Sequence, residues 1–166
     1  MRKHGQITID LPKSRSYSEM WMFMTEIISE LRGFESRFAT KILKIHHYWK
    51  NDPIIEIASY GFIPPLLKSS IGTYIDDQEL TNLYPYAIKD HMFFIESSKP
   101  IENYSEFILT NLIQSKKGLD MTNGKLGSPK FLEKADPEII KIENIKKQDF
   151  EFKWELWTKA YILYER

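Results

Sequence analysis

Along this chain the spacing of apolar side chains switches between two residues and three to four, and each switch marks an element. Ile7-Thr8-Ile9-Asp10-Leu11 alternates, which predicts a strand with one buried face, ended by Pro12. Ser16-Tyr17-Ser18-Glu19 has the spacing of a capping box, in which the Ser16 hydroxyl accepts from a free backbone N–H and Glu19 reaches back to the Ser16 amide. Tyr17, Met20, Trp21, Met24, Ile28 and Leu31 then recur at helical intervals. Gly33 can adopt the left-handed conformation that stops a helix, so a helix is expected over 17–32. Residues 40–49 and 54–60 read as two strands, paired antiparallel around a turn at Asn51-Asp52-Pro53. Leu43, Ile45, His47 and Trp49 fall on one face, to match Ile55 and Ile57. The reverse face gathers Lys44, His46, Tyr48, Glu56 and Tyr60.

The stretch 61–90 has no steady period and is read as an irregular insert. Pro64-Pro65 breaks it, and Asp76-Asp77-Gln78-Glu79 can start a short helix reaching about Tyr84. A strand is expected at 91–97. Asn103 and Glu106 open a second amphipathic helix over 104–117, with Tyr104, Phe107, Ile108 and Leu112 inward. Lys116 and Lys117 would sit in its last turn, where they complement the helix dipole, and Gly118 follows. Glycines at 118, 124 and 127 and prolines at 129 and 137 mark 118–137 as a surface loop. Ile139-Ile140-Lys141-Ile142 resumes the apolar pattern, and Phe150 to Leu156 alternates, which predicts a strand. Over 157–164 the alternation slips; aromatic and β-branched content favours a bulged strand over a short helix.

Strand, helix, two strands, insert, strand, helix and terminal strands form an α+β pattern: a largely antiparallel sheet with two main helices on one face. A ferredoxin-like core with C-terminal strand additions is the nearest standard arrangement. The 166 residues suit one domain over 1–166.

Composition narrows the class. Apolar residues are 42%, charged 28% and aromatic 14%, which describes a globular protein rather than a disordered or fibrous one. The chain has no cysteine, so it offers neither a disulfide nor a thiolate. The polar start at Met1-Arg2-Lys3-His4-Gly5-Gln6 lacks the apolar core of a secretory signal, and no run is long enough for a membrane span. A cytoplasmic protein is expected, with no membrane partner.

Candidate chemistry is sparse. His46 and His47 are adjacent on a strand and point to opposite faces, so they cannot share a metal without a bulge; no metal and no cofactor are expected. His46 with Lys44, Tyr48, Glu56 and Tyr60 could do acid–base work or serve as a sheet-face site. Asp52 with Glu56-Ile57-Ala58 resembles a metal-dependent nuclease pattern, but Ala58 stands where that pattern has lysine. Gly118, Gly124 and Lys125 miss the P-loop spacing by one residue, and Leu126 stands where Ser or Thr should bind Mg²⁺. Met20 and Met24 lie on the core face of the first helix, whereas Met22 and Phe23 lie partly off it.

Charge separates what motifs do not. The 23 basic and 23 acidic residues cancel overall, which disfavours a cationic nucleic-acid binder. Residues 51–114, however, hold three basic and nine acidic side chains. Asp76, Asp77, Glu79, Asp90, Glu96, Glu102 and Glu106 could form one acidic surface for a cationic protein partner. The leading expectation is therefore a non-enzymatic binding protein of the inhibitor or immunity type, with a toxin nuclease as one such partner. The rivals are an RNA-binding or RNA-processing protein that stacks bases on the Lys44, His46, Tyr48 and Tyr60 face, and a small-molecule pocket lined by Tyr and Trp.

Overall fold

The computed structural model describes residues 17–48, 67–73 and 83–165. In chain order the elements are α1 (Tyr17–Phe38), β1 (Ile42–Tyr48), β2 (Ser70–Thr73), β3 (Leu83–Ile88), β4 (His91–Ser97), α2 (Tyr104–Leu126), α3 (Pro129–Lys134) and α4 (Pro137–Tyr164). The expected strands at 7–11 and 54–60 lie outside the described residues, as do Ser16, Trp49, Glu56, Tyr60, Asp76, Asp77 and Glu79. The class is α+β.

The sheet order is β2-β1-β4-β3. β4 pairs antiparallel with both β1 and β3, and β2 joins β1 in parallel. β3 occupies part of the expected insert. It contains Pro85 and lies at one edge of the sheet formed by the described strands, where a missing backbone N–H is tolerated. The Pro85 carbonyl accepts from the Tyr104 hydroxyl at 2.7 Å. Lys89, at φ 53°, turns the chain from β3 into β4.

One sheet face carries Ile45, His47, Phe93, Ile95, Tyr84 and Tyr86, aligned by register across the three antiparallel strands. The helices cover it: Phe34 packs edge-on to Tyr86 at 5.2 Å, and Tyr104 does the same to Tyr84 at 4.9 Å. Leu43 departs from the expected face. A register shift between Ile42 and Lys44 places Ile42 in the core, 3% exposed, and turns Leu43 outward at 50%. The opposite face is buried too, with Met92 and Phe94 both 1% exposed.

Three expectations about the helices are corrected. Gly33 does not stop α1, which continues to Phe38; Ala39, at φ 47°, is the left-handed residue that ends it. Trp21 is exposed, and Ile27 and Phe34 fill the core with Met24, Ile28 and Leu31. The loop expected at 118–137 is instead the second half of α2 plus α3. Ser128 caps α3, its hydroxyl accepting from the Phe131 amide, with Pro129 opening the helix.

The terminal strands are also replaced. Residues 137–164 are one helix, so no described strand follows α2 and the ferredoxin-like core with strand additions does not form. Phe150, Trp154, Trp157, Tyr161 and Tyr164 recur every four and three residues, which puts them along one helical face. That face pairs with α2 in antiparallel order. Tyr104 meets Tyr164, Phe107 meets Trp157, Lys116 lies 4.7 Å over the Trp154 ring, and Lys125 bonds Glu143 at 3.2 Å. A third long helix thus joins the two expected. Among the described residues no helix is long and apolar enough to cross a membrane.

Candidate functional site

Among the described residues, a cleft of about 580 Å³ opens where α1, β3, α2 and α4 meet. Its walls are Glu26, Ser29 and Glu30 from α1, Tyr86, Ala87, Ile88 and Lys89 from the β3 end, Asn111, Gln114 and Ser115 from α2, and Asp149, Phe150, Lys153 and Trp157 from α4. Local sequence explains the opening. On the inward face of α2, Tyr104 and Ile108 are followed by Asn111 and Ser115 before Leu119 resumes the apolar run. These shorter polar residues leave the space that a larger apolar pair would fill.

Two partly exposed ion pairs lie in its walls, Lys89 with Glu26 and Lys153 with Asp149 at 2.9 Å. Glu30, itself exposed, accepts a hydrogen bond from the Tyr86 hydroxyl at 3.2 Å. Burial and then the Glu30 carboxylate raise the Tyr86 phenol far above its usual pKa, so it remains a proton donor. Three carboxylates and two lysines line the cleft, and Glu30 is the carboxylate that no lysine or arginine pairs with among the described residues. A second, wider depression beside Thr40 and Ser98 is lined by Arg32, Lys41 and Lys99, but its Thr40 hydroxyl is bonded to Ser97 and Ser98.

Four of the acids singled out in the sequence, Asp90, Glu96, Glu102 and Glu106, lie among the described residues. Asp90 sits in the β3–β4 turn, 3.3 Å from the His91 ring. Glu96 is at the other end of β4, six residues and roughly 20 Å away along the strand. Glu102 and Glu106 are exposed at the start of α2. Asp90 adjoins the cleft through Lys89; the other three do not line it.

The sheet-face group is also only partly described. Lys44 stands opposite Glu96 in the β1–β4 register, and His46 lies 3.8 Å from the Glu96 carboxylate. His46 is 6% exposed, and burial, then Lys44, lowers its pKa against the pull of Glu96. A buried neutral ring cannot stack a base from solvent. Tyr48 pairs with Met92 by backbone register. His47 lies on the opposite face and is pushed down to about 4, chiefly by burial, so the two imidazoles do not converge. Among the described residues no three acidic or histidine side chains gather to hold a metal ion.

Sequence reasoning missed the cleft. Its readable signals were the polar Asn111 and Ser115 on an otherwise apolar helix face, and Glu26 with Glu30 one turn apart on α1. Neither had a meaning until α4 was known to be a helix. No protein family and no curated protein matches this sequence.

Proposed function

We propose that this is a non-catalytic cytoplasmic binding protein that docks a cationic partner protein through the α1–β3–α2–α4 cleft. The observation that carries the reading is Glu30, a carboxylate in the cleft wall that accepts from a neutral phenol and that no lysine or arginine pairs with among the described residues. A partner's positive group would pair with this exposed carboxylate, beside the Trp157 and Phe150 rings that also line the cleft. This reading centres the docking surface on Glu30; Asp76, Asp77 and Glu79 lie outside the described residues. An inhibitor or immunity-type protein that covers the basic face of a toxin nuclease would work in this way.

Capture of host proteins on the immobilised chain tests this reading when native and Glu30→Gln/Asp149→Asn chains are compared over a salt series. A basic protein should be retained by the native chain, fall off with rising salt, and be reduced on the double variant. Equal retention of that protein by both chains, or retention of RNA in its place, would reject the reading.

A further inference from the structure

We propose that α4 carries a second interface, a stripe that pairs two copies of this chain antiparallel about a two-fold axis at Gln148. α4 is apolar on two sides. One side packs on α2, with Phe150 against Gly118, Trp154 under Lys116 and Trp157 against Phe107. The other holds Ile142, Ile145, Asp149, Phe152 and Leu156, spaced three and four residues apart as in a coiled-coil seam. Leu156 packs on the core, but Ile142 is 49% exposed, Ile145 58% and Phe152 41%. A helix with two apolar sides belongs between two neighbours, and α2 is one of them.

Charge identifies the second neighbour. Lys141 and Glu155 flank the stripe, both exposed and both without an ion pair among the described residues. Each lies seven residues from Gln148. A two-fold axis there sets Lys141 of each copy opposite Glu155 of the other, as a self-complementary contact requires. In the same register Ile142 meets Phe152 of the second copy, and Ile145 meets Asp149. Asp149 keeps its own counter-ion, Lys153 at 2.9 Å, and a single polar residue in a seam fixes register at a cost in stability. On the other flank Lys146 faces its own copy, with its charge already taken up by Glu143 at 3.1 Å. Residues 116–155 hold nine basic and eight acidic side chains. That balance suits a second copy and suits neither an anionic membrane nor a nucleic acid. Contact over residues 138–156 runs about 28 Å, short for an interface, so the dimer is weak and reversible.

The test is sedimentation equilibrium of the full chain over a concentration series. The native chain should form a reversible dimer. Ile142→Ser/Ile145→Ser, at two exposed positions, should stay monomeric while keeping the native urea midpoint in dilute solution. Lys141→Glu should weaken the dimer about tenfold, since both of its ion pairs become repulsions, and Lys141→Glu/Glu155→Lys should restore most of the loss. Because the chain has no cysteine, Gln148→Cys adds a single thiol beside the axis. A short bis-maleimide should link two Gln148→Cys chains and not two Lys117→Cys chains, whose thiol is exposed on α2. A native chain that is monomeric throughout would overturn the proposal, whether or not Ile142 and Ile145 then bind anionic lipid vesicles. A dimer that survives the double serine variant, or one that the charge swap fails to recover, would overturn it as well.

Discussion

Gly118 shows how one residue can be read in two opposite ways. In the sequence it follows two lysines and looks like a helix stop; in the structure it lies mid-helix, where a Cβ would overlap the Phe150 ring of α4. Its missing side chain lets two helices approach. Alanine at 118 gains about 1 kcal/mol of helix propensity but forces the ring aside, at about 1–3 kcal/mol. Gly118→Ala should therefore lower the urea midpoint, and Gly118→Ala/Phe150→Leu should recover part of the loss. Gly33 and Gly124 meet nothing within 4 Å, so alanine there should stabilise by about 0.5–1 kcal/mol. His47 gives a second test at this scale. Burial lowers its pKa from 6.5 to about 4, so the unfolded chain takes up a proton that the folded one refuses between those values. Its contribution is whole above pH 6.5 and falls as pH drops towards 4, by about 3 kcal/mol in all. The ring-proton shift of His47 should titrate near 4; a midpoint near 6.5 would contradict its burial.

Among the elements, α1, β1, β4 and the first half of α2 were legible because their apolar residues fit one period. Residues 150–164 fit two. Phe150, Phe152, Trp154 and Leu156 alternate as in a strand, while Phe150, Trp154, Trp157, Tyr161 and Tyr164 keep helical spacing. Asp136-Pro137, a helix-start pair, was the signal that could have decided between them. The β1–β4 bulge was not legible, because it needs the partner strand. The cleft was illegible for the same reason, since its wall is drawn from α4. The two periods differ in their consequences. A strand would put Phe150, Phe152 and Trp154 on one face; the helix leaves Phe152 41% exposed and Trp157 at 5%. Phe152→Ala should change stability by no more than about 0.5 kcal/mol, and Trp157→Ala should cost about 3–5 kcal/mol. Equal losses from the two in chemical denaturation would contradict the helix.

Across the whole molecule, α2 and α4 outrun the sheet. Their near ends join the aromatic core through Tyr104, Trp157 and Leu163. Among the described residues, their far ends bury Ser115, Leu119, Thr122 and Glu143. Glu143 draws hydrogen bonds from Lys146 and Lys125, which hold its carboxyl below the usual range against the opposing effect of burial. Leu119→Ala should accordingly raise amide exchange in residues 115–150 while leaving β1 and β4 protected, as expected for a separately opening unit. A uniform rise across the sheet would mean that the helical pair is not separable. The cleft sits where this pair leaves the sheet, so docking there would engage both parts of the molecule. A photo-crosslinking residue placed at Gln114, in the cleft, and in a second chain at Glu106, on the exposed start of α2, tests that placement most directly. Irradiation in the host should join a basic protein to the Gln114 chain and not to the Glu106 chain; that protein joined through Glu106 alone, or RNA joined at either position, would contradict docking in the cleft.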